Sequence, residues 1–247
     1  MTTNHGARRG PTLRELTVQA LSSVERGYDL LAPKFDATPF RTPERILDDV
    51  VRALGPLGPF RAGLDICCGT GAGVRVLGEV CRERVVGVDF SAGMLDVARE
   101  AVRSADAKVQ WVRADVRALP FAPAFDLAVS FGAFGHFLPK ERPGLFAQVH
   151  SVLRPGGVFA FPIGAPPRPG SWPYWAMLGF DAAMRVRNAV WWPRFVMYYR
   201  TFPLTEVWPE LERAGFEVEL RPLAGLGHRP DGTPRAALVV ARSALRG

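Results

Sequence analysis

Apolar positions along the chain fall into three successive rhythms. The first is helical. Thr12-Leu13-Arg14-Glu15 has the order of a capping box, and Leu13, Leu16, Ala20, Leu21 and Val24 follow on one face. Thr42-Pro43 offers a cap and a first-turn proline for a second helix. That helix carries Ile46, Leu47, Val50 and Leu54 and stops at Gly55-Pro56. These two predicted helices make residues 1–60 an N-terminal helical cap.

The second rhythm alternates short apolar runs with helical stretches. Strands are predicted over Gly63 to Cys67, Val85 to Val88, Lys108 to Arg113, Phe125 to Phe131 and Val158 to Ile163. Helices fall between them, one carrying Val74, Leu77 and Val80, another Met94, Leu95, Ala98 and Val102, and a third running from Pro139 to Leu153. Arg154 to Gly157 reads as a turn. A helix from Glu206 to Ala214 is followed by two strands with no crossover helix between them, Phe216 to Leu220 and Ala236 to Ala241, which therefore pair antiparallel. The expected fold is α/β: seven strands, mostly parallel, helices on both faces and an antiparallel final strand, all in one domain over 61–247.

The third rhythm interrupts the second. Residues 164–170 are rich in proline and glycine, and residues 172–202 hold ten of the chain's 26 aromatic residues. Trp175, Leu178, Ala182, Val186 and Ala189 share one helical face, with Asp181 and Arg185 spaced for an ion pair on another. This insertion, 164–202, is expected to form a lid over an apolar acceptor pocket. A second copy of the chain (a homodimer) or a membrane surface are the other occupants such rings suit.

Composition narrows the function classes. A net charge of +7 comes almost wholly from arginine, Lys34, Lys108 and Lys140 being the lysines, and nowhere do the arginines form the block that marks a nucleic-acid arm. Cys67, Cys68 and Cys81 have neither a disulfide-framework nor a zinc-ligand spacing, so no metal is expected. Met1 to Gly10 is polar and basic, and no apolar run is long enough to span a bilayer. A cytoplasmic location is expected.

Candidate chemistry begins at the glycine loop, Gly69-Thr70-Gly71-Ala72-Gly73, set between a strand and a helix. Such a loop brings backbone N–H groups and a helix N-terminus to a ligand. Val74 stands where a dinucleotide fingerprint needs its third glycine. Asp65 lies four residues ahead of Gly69, Asp89 ends the second strand and Asp115 follows the third, so three acids gather at the carboxyl edge of one sheet.

These runs resemble the class I S-adenosylmethionine-dependent methyltransferases, motif by motif. The resemblance is carried by Leu64-Asp-Ile-Cys-Cys-Gly-Thr-Gly, Val85-Val-Gly-Val-Asp-Phe-Ser-Ala-Gly-Met-Leu, Arg113-Ala-Asp, Phe125-Asp-Leu-Ala-Val-Ser and Leu153-Arg-Pro-Gly-Gly. It implies a Rossmann-like fold and S-adenosyl-L-methionine as cofactor. Gly69, Thr70 and Gly71 would line its methionine part and Asp65 would hold its ammonium. Asp89 would bind the ribose, Phe90 and Met94 would flank the adenine, Asp115 and Val116 would read its edge, and Ser130 with Phe131 would lie beneath the sulfonium. Tyr28 is similar to a tyrosine that closes over the cofactor in relatives, and reads equally well as a core aromatic. Cys67 departs from the family's usual glycine. The Cys-Cys-Gly-Thr-Gly form resembles that of quinone-biosynthesis C-methyltransferases.

A sulfonium methyl is already an activated electrophile, so the protein needs to align the acceptor, exclude water and, for a hydroxyl, amine or activated carbon, supply a base. His136, just after the fourth strand, is the candidate, with a packing role as its alternative. Ser130-Phe131-Gly132-Ala133 lacks the Asn/Asp-Pro-Pro-aromatic grip of base-methylating enzymes, so a small, aromatic or lipophilic acceptor is expected rather than nucleic acid. The competing readings are an RNA or protein methyltransferase and a non-catalytic binder of the cofactor.

Overall fold

The structure, a computed structural model, describes residues 10–102, 108–200 and 202–244. Most of the basic N-terminal decapeptide read above lies outside them. Seven strands form one sheet: β1 (Phe60–Ile66), β2 (Cys81–Asp89), β3 (Val109–Arg113), β4 (Phe125–Val129), β5 (Leu153–Gly164), β6 (Phe216–Pro222) and β7 (Ala236–Ser243). Their order is β3-β2-β1-β4-β5-β7-β6. The first five run parallel, and β7 inserts antiparallel between β5 and β6. The chain order reverses direction across the sheet between β1 and β4, which leaves a crevice at the carboxyl ends of those strands.

Helices cover both faces. On one side α6 (Arg142–Val152) and α8 (Leu204–Arg213) bury Phe146, Val149, Val207 and Leu211 against Phe125, Phe159 and Val239. On the other, α3 (Glu44–Leu54) and α4 (Ala72–Val80) bury Val50, Leu54, Val74 and Leu77 against Leu127, Val129 and Val240. β4 supplies residues to both cores, which is why Leu127, Ala128 and Val129 are apolar in succession and do not alternate with polar residues. α5 (Ala92–Val102) packs beside β2 and β3.

The N-terminal region differs from the two-helix reading. Ser22 and Ser23 break the first helical stretch into α1 (Leu13–Leu21) and α2 (Val24–Leu31), the Ser23 side chain accepting from the Arg26 amide as a new cap. Val24 thus belongs to the second helix. Pro43 is itself the cap residue of α3, without a side-chain hydrogen bond, so Thr42 stands outside the helix. The Arg154 to Gly157 turn is absorbed into β5, where Gly156 takes a positive φ and the pairing with β4 shifts register.

The aromatic insertion contains one long helix, α7 (Trp172–Val190), capped by Ser171. It faces the opposite way from the burial its apolar spacing suggests. Asp181 is the buried residue, accepting from the backbone amides of Tyr199 and Arg200 at 2.7 and 3.1 Å. Arg185 does not pair with it and lies over the Tyr198 ring. Trp175, Ala182, Val186 and Ala189 are left exposed, and Leu178 is half-buried. Among the described residues no helix is long and apolar enough to cross a membrane.

Candidate active site

At the carboxyl ends of β1, β2 and β4 a cavity of about 240 Å³ opens between the sheet and the N-terminal helices. The loop after β1 shapes its floor. Cys67, Gly69 and Gly71 all take positive φ (55°, 52° and 95°), a path that curls the chain back so that Gly71 donates to the Cys68 carbonyl at 2.8 Å. Cys67 is the single non-glycine residue with positive φ among the described ones, and it stands where the family's pattern has glycine.

Asp65, one residue before the end of β1, has its carboxylate fully enclosed. The amides of Gly73 and Val74 face it, yet neither closes a full hydrogen bond, and both oxygens lack a partner. Burial therefore dominates and raises its pKa well above the ordinary carboxylate range. A Cβ on Gly73 would lie 2.5 Å from this carboxylate, so glycine there is a steric requirement. An enclosed, unpartnered carboxylate on a cavity wall is a place for a cation, and the ammonium of S-adenosylmethionine has the chemistry to fill it.

Asp89 is also buried, but satisfied. One oxygen accepts from the Gly69 amide and the other from the Ser91 amide, each at 2.9 Å, which fixes the plane of the carboxylate and leaves a lone pair on each oxygen for a diol. Burial raises its pKa despite those bonds. Asp115 is half-exposed, and its carboxylate accepts from the Arg117 amide and guanidinium. Arg117 also reaches Glu141 at 3.0 Å and lies over the Phe137 ring.

The N-terminal helices close the cavity from above. Asp29 accepts from the Ser91 hydroxyl at 2.5 Å and the Gly93 amide at 3.0 Å at the start of α5, and Thr70 donates to Asp36 at 2.8 Å. Between those tethers Tyr28 points inward to His136, its hydroxyl 2.7 Å from Nε2. The other ring nitrogen, Nδ1, lies 2.7 Å from the Val196 carbonyl, which has no proton to give. Nδ1 therefore carries the hydrogen and Nε2 accepts from Tyr28. Burial lowers the histidine pKa and raises that of the tyrosine, so both are uncharged at neutral pH.

Of the residues named from sequence, the cavity is lined by Tyr28, Asp65, Cys67, Gly69, Thr70, Asp89, Phe90, Met94, Asp115, Val116, Phe131 and His136. Gly71 and Ser130 are not on its wall. Gly71 turns the chain into α4 beneath Trp111, and the Ser130 hydroxyl donates inward to the Ile66 carbonyl at 3.1 Å. Sequence reading missed Phe35, Phe40, Arg41, Arg117, Phe137 and Val196. The spacing of Arg117 from Asp115 was available as a signal. Phe35 lies in a six-residue 3-10 helix (Ala32–Ala37) and Phe40 in the turn beyond it, pieces too short to have a period to read.

Residues 64–157 match the family model of a methyltransferase domain. The chain is 38% identical over 96 residues to a 2-phytyl-1,4-naphtoquinone methyltransferase of Thermosynechococcus vestitus, covering 38% of this chain and 42% of that protein. It is 39% identical over 107 residues to a trans-aconitate 2-methyltransferase of an Azoarcus species, covering 42% of this chain and 40% of that protein. The chain thus spans less than half the length of these two curated relatives. A solved S-adenosylmethionine-dependent methyltransferase of Mesorhizobium loti is 28% identical, with a TM-score of 0.54, and the match covers 79% of this chain and 99% of that one.

Proposed function

We propose that this chain, whose residues 64–157 match a methyltransferase domain, is a class I S-adenosylmethionine-dependent methyltransferase that moves a methyl group onto a small, planar or lipophilic molecule. One observation carries the reading. The unpartnered Asp65 carboxylate and the uncharged Tyr28–His136 pair line the same cavity. The first suits the cationic cofactor and the second suits an acceptor that must lose a proton.

When bound, the cofactor supplies a methyl on a positively charged sulfur, an electrophile that needs no protein nucleophile. Asp65 would pair with the ammonium and the free lone pairs of Asp89 would take the ribose hydroxyls. Phe90 and Met94 would sandwich the adenine, and Asp115, held by Arg117, would face its amino edge. Gly69 and Thr70 would border the methionine chain through their backbone.

His136 is held by Val196 in the tautomer whose Nε2 is a base, and Tyr28 occupies that base with its hydroxyl. A proton leaving an acceptor hydroxyl passes to the Tyr28 oxygen as the Tyr28 proton passes to Nε2, so no tyrosinate stands in the cavity and the positive charge ends on the His136 imidazolium. The walls that remain for the acceptor, Phe35, Phe40, Phe131, Phe137 and Val196, favour a flat apolar body.

The test is methyl transfer from labelled cofactor to matched pools of hydroxylated naphthalenes and quinols, tRNA, and protein. Label in the small aromatic pool alone is the expected result. Label confined to RNA or protein refutes the acceptor class.

A further inference from the structure

The exposed face of α7 has no role in the cavity. Trp172, Trp175, Gly179, Ala182, Val186 and Val190 project along one side of the helix, and all are exposed, Trp172 at 81% and Val190 at 76%. Trp192, at 78%, extends the stripe beyond the helix end. The exposed positions of α7 include one charged residue, Arg185, while the polar side chains of Asp181 and Asn188 are turned inward to hold the segment's backbone. A surface helix normally has the reverse arrangement.

Charge identifies the occupant. Residues 164–202 hold five arginines and one acid, Asp181, which is buried. Four of the chain's seven net positive charges therefore sit on this segment. Two copies placed face to face would bring these charges together, whereas an anionic lipid surface would attract them. Tryptophans beside arginines, on an apolar helix too poor in apolar residues to span, suit a helix lying in the plane of a bilayer.

We infer that α7 and the Trp191–Trp192 corner dock this protein on the surface of an anionic phospholipid bilayer, with the Trp175–Val186 stripe in the headgroup–acyl boundary. Arg185, over the Tyr198 ring, and Arg194 are both exposed beside the stripe and add positive charge there; neither is in an ion pair among the described residues. Four residues after Trp192, Val196 forms part of the cavity wall and fixes His136 through its carbonyl. The docking surface and the acceptor chamber are thus parts of one segment.

Vesicle co-sedimentation of the whole chain tests this independently of turnover. Binding to phosphatidylglycerol–phosphatidylcholine vesicles, weakened by salt and far weaker on pure phosphatidylcholine, is expected. The double variant Trp175→Glu/Val186→Glu, at sites that make no core contact, should bind roughly tenfold or more weakly. An exposed tryptophan should also shift its fluorescence to the blue when vesicles are added. Absence of binding to phosphatidylglycerol vesicles overturns the inference. So does a wild-type dimer, seen by light scattering, that the double variant turns into a monomer.

Discussion

The Tyr28 hydroxyl and the His136 ring meet at 2.7 Å across 108 residues of chain, ring edge to ring face at 5.2 Å. The pair is assembled by two otherwise separate pieces of the molecule. Asp29 pins α2 to α5, and the Tyr198 amide donates to the Gly135 carbonyl beside His136. Phe195 packs against both, stacked with Tyr28 at 6.3 Å and edge-on to His136 at 6.5 Å. Neither residue can change its partner without disturbing the cap or the aromatic segment.

That coupling makes pH dependence diagnostic. Because burial lowers the His136 pKa, the neutral imidazole persists below the ordinary histidine range, and turnover should fall only on the acid side of it. His136→Gln should lower kcat by roughly a hundredfold or more and remove that acid limb, with little change in cofactor affinity. Tyr28→Phe should keep the limb but move it upward, since the O–H that stabilises the neutral ring is lost. A pH–rate profile unchanged in both variants would return the pair to a packing role.

The same shift has a stability consequence. A histidine whose folded pKa is depressed binds its proton more readily when unfolded, so stability is present above the unfolded value of about 6.5 and is lost as pH falls through the window below it. His136→Gln should flatten that part of the stability curve, measured by denaturant titration across mildly acid pH.

The strand–loop–helix around Gly69 and the acids at the ends of β1 and β2 were legible because each is a local pattern, fixed by a few adjacent residues. What was not legible was long-range. Helical spacing groups Trp175, Ala182 and Val186 but cannot say whether their face turns in or out. Two amides in a bend, those of Tyr199 and Arg200, needed an acceptor, and Asp181 turned inward to meet them. Ser130 fails as a contact residue for a similar reason, its hydroxyl taken by the Ile66 carbonyl. The contact of Tyr28 with His136 follows from the docking of α2, which no short-range signal encodes.

Asp89 offers a binding test. Its carboxylate has both oxygens oriented by amides, so a ribose diol bound there would meet a preorganised acceptor. Asp89→Ala should weaken S-adenosylhomocysteine binding by ~1.5–3 kcal/mol in calorimetric titration, the worth of charge-assisted hydrogen bonds. An affinity equal to wild type would remove Asp89 from the cofactor site.

Nucleic acid should not be methylated. The arginines are dispersed, and several are engaged: Arg75 with Asp48 and Glu79, Arg142 with Glu206 and Glu210, Arg117 with Asp115 and Glu141. Any RNA binding should be weak and disappear with modest salt. Saturable transfer of labelled methyl into tRNA at physiological ionic strength would count against this.

Asp65 should trade stability against binding. Its pKa is raised above the ordinary value, so the folded chain binds the proton more tightly than the unfolded one, and stability falls as pH rises from the ordinary carboxylate pKa toward the folded one. At neutral pH the ligand-free protein therefore bears the cost of an enclosed carboxylate with no partner. Asp65→Asn keeps the shape and removes the charge. It should raise the melting temperature of the ligand-free chain, while S-adenosylmethionine should bind more weakly and add less to that temperature than it does in wild type. Gly73→Ala is the complementary probe, because its Cβ would meet the carboxylate at 2.5 Å and force it out of its present place. That variant should lose both stability and binding. An Asn variant that melts lower than wild type and binds the cofactor as well would mean that Asp65 is a structural group, not the cation site.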